Sequence, residues 1–579
     1  MNTARTGKIT QRDILASLPQ HLRPFVQTQD YQRYSARDQA VWRFVMKQLT
    51  RQLAPTAHPV YLEGLARTGI SLEHIPSIDE MNDSLAALGW RAVVVDGFIP
   101  PAIFMEFQAL KVLVIALDMR SVEHIFYTPA PDIVHESAGH APFIVDVDYA
   151  EFLQRFGEIG MKAISTQADL EMYDAIRSLS ILKECPTSTP ADIEQAEATL
   201  RDVSQANTKL SEASLLTRLH WWTVEYGLVG AVDDYRIFGA GLLSSLGESL
   251  YCLDDTRVKK IPLTVDAVRH AYDITSLQPQ LFVTSSCRHL TQVLEEFAAS
   301  MCFKRGGANS LQVAVEAGSV CTAQYDSGVQ VSGVFDEVLC DAVGNAIYLR
   351  TAGPTQLALD NREIYGHGVT SHKEGFGSPI GHLKDFSGGL SHYSIDELKA
   401  HNIVIGKPAR LEFLSGITVQ GRLDGIYRQE QRNLLLSFDE CTVTDLQGRV
   451  LFDPDWGRYD MAVGASITSV YGGVADREAL QLHKPPAAGS AIASQDDSRL
   501  MSLYSLARQM CSGAVAMDEG IAQTLTTGLA DYPDEWLLRV ELLQSGNDDL
   551  RVTLRDQLES LALRREDLAP LIEMSLAGD

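Results

Sequence analysis

The apolar residues of this chain change their spacing near Gly306. Before that point, segments such as SARDQAVWRFVMKQLTRQL, which begins at Ser35, repeat apolar residues at helical intervals after a candidate cap. From there to about residue 480, Val, Thr and Gly dominate, and short alternating runs predict strands: SLQVAVEAG, NAIYLRTA, ARLEFLSG and NLLLSFDECTVTD. From residue 499 onward the helical spacing returns. The sequence therefore predicts a helical region, a β-rich region and a second helical region.

A chain of 579 residues is long enough to form several cores. We predict a mainly α domain over residues 1–305, a β-rich domain over residues 306–482, a linker over residues 483–498 and a small α-helical region over residues 499–579. The linker is rich in Pro, Ala, Gly and Ser. Within the first domain, the polar stretch 166–213 predicts an exposed helical excursion, with a helix after Pro190.

Two segments of the β-rich region resemble each other. GVQVSGVFDEVL begins at Gly328 and GITVQGRLDGIY begins at Gly416, and both follow the frame G-x-x-V-x-G-x-x-D at an offset of 88 residues. Either a duplicated β-unit or a chance match explains this similarity.

The formal net charge of −26 excludes some classes of partner. A chain this acidic repels nucleic-acid phosphates and anionic lipids, so we expect it to bind neither nucleic acid nor membranes. The N-terminal residues lack the apolar segment of a secretory signal, and no apolar run approaches the roughly 20 residues of a membrane-spanning helix. The eight cysteines are scattered without a C-x-x-C pair, which is typical of reduced thiols and predicts a cytoplasmic location.

The segment PDIVHESAGHAPF, residues 131–143, places His135 and His140 five residues apart. The zinc-hydrolase motif H-E-x-x-H has a spacing of four, which directs both imidazoles to one face of an α-helix. In an α-helix a five-residue step rotates the second side chain by roughly 140°. The two histidines are therefore either structural residues or metal ligands brought together by a bend, for which Gly139 is the candidate.

Glu225 supplies a third candidate ligand. It lies in HWWTVEYGLVG among aromatic and apolar residues, where a carboxylate needs a partner to offset its desolvation. Two imidazoles and one carboxylate form the facial triad of non-haem Fe(II) oxygenases, which leaves positions open for oxygen and substrate.

Residues from about 31 to 301 resemble the catalytic domain of the pterin-dependent aromatic amino acid hydroxylases. The blocks that carry the resemblance are GWRAVVVDGFIPP, YTPAPDIVHESAGHAPF, WWTVEYGLVG, FGAGLLSSLGE and YDITSLQPQLFV. The resemblance implies a mainly α catalytic domain that uses Fe(2+), O2 and a tetrahydropterin to hydroxylate a free aromatic amino acid. The expected substrate is L-phenylalanine and the expected product L-tyrosine; tyrosine, tryptophan or another ring position is the alternative.

The resemblance also assigns roles to individual residues. His135, His140 and Glu225 are the implied iron ligands. The implied catalytic residues are Glu136 beside the open iron positions, Arg120 as the clamp of the substrate carboxylate, and Ser244 as the hydrogen-bond partner of a ligand histidine. The implied pterin-binding residues are Phe104, Gly97, Phe98 and Ile99. The implied substrate-binding residues are Arg120, Thr128, Pro131, Asp132, Trp221 and Tyr226.

Some features depart from the family pattern. Ser137 and Ala138 stand where relatives carry bulkier apolar residues, and His220 stands where an aromatic residue is common. The separation between His140 and Glu225 is longer than in relatives, so we expect the excursion 166–213 to be a helical insertion. Trp221 favours a phenylalanine or tyrosine ring over an indole.

Two other classes of function remain open, together with the role of the second half of the chain. A zinc hydrolase would use His135 and His140 with Glu136 as the base, and a non-catalytic scaffold would act through the β-rich half. His367, His372 and His382 in a glycine-rich stretch of that half are either incidental or a metal site. We expect the C-terminal half to contribute to regulation, to homo-oligomer formation or to binding of a protein partner.

Overall fold

The structure is a computed structural model that describes residues 10–95, 99–126, 131–184, 188–207, 209–274, 276–483, 498–516, 518–544 and 548–577. Most of the predicted linker, residues 484–497, lies outside the described residues. None of the described helices combines the length and the apolar character needed to cross a membrane. The seven cysteines in the described part of the chain are free thiols.

The first half of the chain is mainly helical. Its α-helices are α1 (Gln11–Ser17), α2 (Ala36–Leu53), α3 (Val60–Arg67), α4 (Ile78–Leu85), α5 (Pro101–Ala109), α6 (Val147–Gly160), α7 (Gln167–Glu184), α8 (Pro190–Ala206), α9 (Glu212–His220), α10 (Ala240–Leu243), α11 (Leu246–Tyr251), α12 (Cys287–Ser300) and α13 (Cys302–Arg305). Two π-helices occupy Val134–His140 and Trp221–Glu225. Its strands are β1 (Arg91–Val95), β2 (Val112–Ala116), β3 (Leu228–Ala231), β4 (Asp234–Ile237), β5 (Lys259–Pro262) and β6 (Gln280–Thr284).

Two small sheets and helix α2 organise this half. Strands β1 and β2 pair in parallel, and the second sheet has the order β4-β3-β6-β5. Ser35 caps α2 as predicted, since its hydroxyl accepts a hydrogen bond from the Asp38 amide and the Asp38 carboxylate accepts one from the Ser35 amide. Ten residues of α2 are buried, and eight of these, among them Trp42 and Phe44, belong to the largest apolar core.

Helices α7 and α8 occupy the polar stretch between residues 166 and 213. They pack against each other, and α8 begins at Pro190 after the Thr189 cap, as the sequence predicts. Helix α8 has no buried residue, so its surface faces solvent.

The second region contains two antiparallel sheets. Its helices are α14 (Gly307–Ala317) and α15 (Ile395–Ala400). Its strands are β7 (Val320–Tyr325), β8 (Val329–Cys340), β9 (Ala346–Leu359), β10 (Arg362–Glu363), β11 (Gly375–Pro379), β12 (Pro408–Glu412), β13 (Thr418–Gln429), β14 (Arg432–Thr444), β15 (Val450–Phe452), β16 (Tyr459–Ala462) and β17 (Ile467–Gly472). One sheet has the order β10-β9-β8-β7-β17 with β11 on β9, and the other has the order β12-β13-β14-β15 with β16 on β14.

The strand prediction for SLQVAVEAG is wrong, because this segment forms most of α14. Leu311, Ala314 and Ala317 are buried at a three-residue spacing, whereas Val313 is exposed. Of the two valines that suggested a strand, Val313 thus lies outside the face that α14 buries, and Val315 is only partly buried at its edge.

The two sheets share an order of elements at the offset seen in the sequence. Helix α14, strand β7 and strand β8 precede α15, β12 and β13 by about 88 residues. The pairing of β8 with β9 shifts register between Ser332 and Val334 and again after Phe335, and the pairing of β13 with β14 shifts at Gln420 and Leu423. These positions differ by the same 88 residues as the G-x-x-V-x-G-x-x-D frames, so the bulges occur at equivalent places in the two units.

The C-terminal helices return to the first half of the chain. They are α16 (Ser498–Cys511), α17 (Glu519–Asp531), α18 (Trp536–Leu543), α19 (Asp548–Arg564) and α20 (Ala569–Leu576). Trp536 of α18 contacts Phe44 of α2 edge to face, with ring centroids 5.0 Å apart. Arg43 of α2 forms a buried ion pair with Glu541 of α18. Residues of these helices therefore belong to the same apolar core as α2.

Candidate metal centre

His135 and His140 lie on the first π-helix. A π-helix closes its hydrogen bonds between residues five apart, so side chains with that spacing point to the same side. The two Nε2 atoms are 3.2 Å apart. The bend expected at Gly139 is wrong, because Gly139 lies inside the π-helix. A Cβ on Gly139 would come within 2.8 Å of the Ala240 carbonyl oxygen, so this glycine allows the π-helix to approach α10.

Glu225 ends the second π-helix and faces both histidines. Its Oε2 is 3.3 Å from His135 Nε2, and its Oε1 is 3.4 Å from His140 Nε2. The two imidazole nitrogens and the two Glu225 carboxylate oxygens thus converge, with separations of 3.2–3.4 Å between the nearest pairs. Two imidazoles and one carboxylate are the ligand set of a facial triad, and these residues would hold a divalent ion between them. The donor set therefore fits an iron(II) ion.

The charges of this cluster are strongly coupled. Burial opposes ionisation of Glu225, but His140 and His135 outweigh it and hold the pKa of Glu225 far below its ordinary range. Burial lowers the pKa of His140 to about 3. Burial also disfavours protonation of His135, but the Glu225 carboxylate prevails and raises the pKa of His135 to about 9. A divalent cation would displace the proton of His135 and supply the positive charge that Glu225 requires.

Glu136 lies beside the three ligand candidates. Its Oε2 is 3.9 Å from His140 Nε2. Burial, together with the negative charge of Glu225, raises the pKa of Glu136 to about 8. A neutral Glu136 acid can donate a proton or a hydrogen bond, whereas its carboxylate can only accept.

Ser244 determines which nitrogen of His135 faces the cluster. The Ser244 hydroxyl donates to the Ala240 carbonyl oxygen at 2.8 Å, so it accepts from His135 Nδ1 at 2.9 Å. With Nδ1 protonated, the lone pair of the neutral imidazole lies on Nε2, the atom that faces Glu225.

We expect Ser244→Ala to weaken Fe(II) binding by about 10–100-fold, because His135 loses the partner that fixes its tautomer. Anaerobic Fe(II) titration against a competing chelator measures this change. Ser249→Ala, which removes a buried hydroxyl of α11 that does not contact His135, is the matched control. Equal iron affinity in the two variants would contradict the role of Ser244.

Arg120 and Asp132 form a buried bidentate ion pair beside the backbone of His135. Arg120 Nε donates to Asp132 Oδ2 at 2.7 Å, and Nη2 donates to Oδ1 at 2.8 Å. Arg120 Nη1 donates to the Ser244 carbonyl oxygen, and Asp132 Oδ1 accepts from the His135 amide. Burial would raise the pKa of Asp132, but Arg120 outweighs it and lowers that pKa. Through Asp132, Arg120, the predicted partner of the substrate carboxylate, is thus connected to the start of the π-helix.

An aromatic stack borders the same site. Trp221 lies between Tyr226 and Tyr272, with ring centroids 4.7 and 4.3 Å apart and nearly parallel planes. Sequence reasoning did not assign a role to Tyr272, although it begins YDITSLQPQLFV, a block that carries the family resemblance. Pro131 is exposed and precedes the first π-helix, which begins at Val134.

His220 contacts the site on its other side. Its Nδ1 is 3.7 Å from Glu225 Oε1, and its ring meets Phe104 and Phe156 edge to face. The buried Nε2 of His220 has no hydrogen-bond partner among the described residues. Phe104 lies on α5 and is partly buried, and Ile99 is buried in the core formed with α1. The other predicted pterin and substrate residues, Gly97, Phe98 and Thr128, lie outside the described residues.

Glu248 is a buried carboxyl group that sequence reasoning missed. Its Oε1 accepts a hydrogen bond from the Tyr226 hydroxyl at 3.2 Å. Burial raises the pKa of Glu248 from 4.5 to about 7. The only sequence signal is its position in FGAGLLSSLGE, a block of the family resemblance.

We expect Glu248→Gln to stabilise the protein at pH 8 and not at pH 5. Because the folded state raises this pKa, wild-type stability is lost as pH rises from about 4.5 through about 7, by up to about 3 kcal/mol. The glutamine side chain would keep an acceptor for the Tyr226 hydroxyl without ionising. Urea unfolding of both proteins at the two pH values measures the difference, and a gain of equal size at pH 5 would contradict the assignment.

Comparisons with known proteins identify the family of the first half of the chain. The sequence model of the biopterin-dependent aromatic amino acid hydroxylase family matches residues 6–174 and 196–308. The phenylalanine-4-hydroxylase of Ralstonia nicotianae is 30% identical over 274 residues, which are 47% of this chain and 74% of that protein. The phenylalanine-4-hydroxylase of Pseudomonas aeruginosa is 29% identical over 264 residues, or 45% of this chain and 84% of that protein.

One solved structure among the matches is the phenylalanine hydroxylase of Chromobacterium violaceum with bound iron(III) and 7,8-dihydrobiopterin. It is 27% identical, and the alignment covers 48% of this chain and 85% of that chain with a TM-score of 0.38.

Proposed function

Because this chain belongs to the biopterin-dependent aromatic amino acid hydroxylase family, we propose that it converts free L-phenylalanine to L-tyrosine with O2 and a tetrahydropterin. The family makes it a pterin-dependent oxidoreductase with iron as its metal. The observation that carries the proposal is the convergence of His135, His140 and Glu225 to within 3.4 Å of one another.

The proposed roles of the residues follow from their contacts. His135, His140 and Glu225 hold iron, which together with the reduced pterin supplies the oxygen-activating chemistry. Ser244 keeps Nε2 of His135 available, and Glu136 can hold or release a proton at its carboxyl group beside the open side of the metal. A neutral Glu136 also leaves Glu225 as the main negative charge near the cation.

Binding of the amino acid is proposed to involve the buried ion pair and the aromatic stack. Arg120, oriented by Asp132 and Ser244, is the proposed partner of the substrate carboxylate. Thr128 is also proposed to bind the amino acid. Trp221, Tyr226 and Pro131 are proposed to enclose the ring, and the stack with Tyr272 restricts the motion of Trp221. These walls exclude water from the reacting ring.

The pterin is proposed to lie against α5. Phe104 would contact the flat heterocycle, and Gly97, Phe98 and Ile99 are the other proposed pterin-binding residues. The edge-to-face contact of Phe104 with His220 connects this surface to Glu225.

Product analysis tests the choice of substrate. Purified full-length protein, loaded anaerobically with Fe(II) and supplied with a tetrahydropterin and O2, should convert phenylalanine to tyrosine faster than it converts tyrosine or tryptophan. A different preferred substrate, or hydroxylation at another ring position, would contradict this assignment while leaving the reaction class intact. Turnover with Zn(II) alone would instead support a hydrolase, and no turnover with any of the three amino acids would support a scaffold.

For residues 306–482 we propose a duplicated β-unit that serves assembly or binding of a protein partner. The support is the shared order of elements and the equivalent bulges of the two sheets. Sedimentation velocity of the full chain tests assembly, since a single species near 63.7 kDa would contradict a homo-oligomer. A location in the cytoplasm remains a prediction.

A further inference from the structure

A second group of metal-ligating side chains lies in the β-rich half, outside the residues that the family model matches. His367 and His372 lie in the loop between β10 and β11, and Asp460 lies on β16. His367 Nδ1 is 3.2 Å from His372 Nε2, and these atoms are 3.7 and 4.0 Å from Asp460 Oδ2. His382, the third histidine of the same stretch, is exposed and does not belong to this group.

Backbone hydrogen bonds hold both histidines in place. The His367 carbonyl oxygen accepts from the Leu357 amide at 2.9 Å, and the His372 carbonyl oxygen accepts from the Thr355 amide at 3.0 Å. Both donors belong to β9, so the loop is attached to a long central strand. The His372 ring also packs edge to face against Phe376, with ring centroids 5.5 Å apart. The positions of the two imidazoles are therefore fixed by the sheet.

Contacts with Oδ1 orient the Asp460 carboxylate. Asp460 Oδ1 accepts a hydrogen bond from the Ser437 hydroxyl and lies 3.5 Å from Arg458 Nε. These contacts direct Oδ2 toward the two imidazoles. Oriented carboxylates of this kind are common around metal ions, where a neighbouring donor fixes the ligand.

The two imidazole nitrogens are within hydrogen-bond distance of each other, but the distances to Asp460 Oδ2 fit a shared cation better than direct hydrogen bonds. Separations of 3.7 and 4.0 Å are too long for an imidazole N–H to donate to Asp460 Oδ2. Among the described residues, Oδ2 receives no other hydrogen bond. Yet one point lies about 2.1 Å from all three donor atoms, which matches the bond lengths of zinc to histidine nitrogen and aspartate oxygen.

We propose that His367, His372 and Asp460 form a second metal site that binds a divalent ion of the zinc class. Two nitrogens and one oxygen suit zinc or a neighbouring first-row ion, whereas calcium and magnesium prefer oxygen ligands throughout. The three donor atoms would hold the ion between them and leave it coordination positions that water could fill. The ion connects a loop of one β-sheet to a strand of the other.

Cobalt(II) is the probe that tests this site in the full-length chain. After removal of all metal with a chelator, wild-type protein should bind two equivalents of Co(II). His372→Ala should bind one, and the nearly isosteric Asp460→Asn should also bind one. His382→Ala, the matched histidine outside the group, should bind two. One equivalent in the wild type, or two in both His372→Ala and Asp460→Asn, would overturn the proposal.

A second measurement separates this site from the first centre. With His135→Ala as the background, added Co(II) should raise the thermal unfolding temperature, because an ion that binds only the folded state stabilises it. The shift should disappear in the His135→Ala/Asp460→Asn double variant. Ser437→Ala in the same background should weaken cobalt binding by about tenfold, since Asp460 loses the donor that orients it. Equal shifts with and without Asp460→Asn would overturn the proposal and leave the hydroxylase assignment untouched.

Discussion

Replacement of Glu225 by glutamine is expected to abolish hydroxylation. Glutamine keeps the size of the side chain but removes the only negatively charged ligand of the proposed iron site, whose pKa is held far below its ordinary range. The two imidazoles alone leave the divalent charge of the ion without compensation in a buried site. The loss of metal-derived stabilisation, several kcal/mol, corresponds to a decrease in turnover of roughly 10³-fold or more.

The measurement pairs bound iron per chain with turnover of phenylalanine. Glu248→Gln is the matched control, because it makes the same change at a buried carboxyl group that contacts Tyr226 and not the histidines. The control should retain iron. If Glu225→Gln bound iron and turned over like the control, Glu225 would not be a ligand.

The second large effect is expected far from the metal, at the ion pair between α2 and α18. Arg43 and Glu541 are 2% and 3% exposed, so neither charge can be solvated if its partner is removed. Glu541→Ala should therefore lower the free energy of unfolding by about 3–5 kcal/mol. Urea unfolding of the full-length protein measures the loss.

The double variant Arg43→Met/Glu541→Leu separates the charge from the packing. It removes both charges while keeping apolar volume, and we expect it to recover most of the stability lost in Glu541→Ala. Loss of the same size in the double variant would show that the packing of α18, rather than the unpaired Arg43, determines the effect.

The sequence predicts the parts of the centre that depend on residue type. His135, His140 and Glu225 are identified by their chemistry and by the blocks around them, and the structure brings them together. The backbone that achieves this is not predictable from the pattern, since a π-helix differs from an α-helix by one residue per turn and leaves no periodic signal over a few residues. The bend assigned to Gly139 is wrong for this reason.

Errors in the second half also have physical causes. The segment from Ser310 to Gly318 alternates valine with other residues, but its small alanines pack one helical face against the sheet, and tertiary packing overrides the local pattern. The packing of α16–α20 into the core that contains α2 depends on long-range contacts. One of them joins Arg43 and Glu541, which are 498 residues apart along the chain. No local pattern of a sequence reports such a pairing.

The spacing of the two histidines on the π-helix differs by one residue from the spacing in a zinc-hydrolase motif. Loss of the three nucleotides that encode Ser137 would turn HESAGH into HEAGH, which has the H-E-x-x-H spacing of a zinc hydrolase on an ordinary α-helix. Conversely, one residue inserted between the two histidines of such a helix would give the five-residue spacing found here. One residue in this segment therefore separates two kinds of metal chemistry, and its helix also needs a glycine at position 139 to approach Ala240.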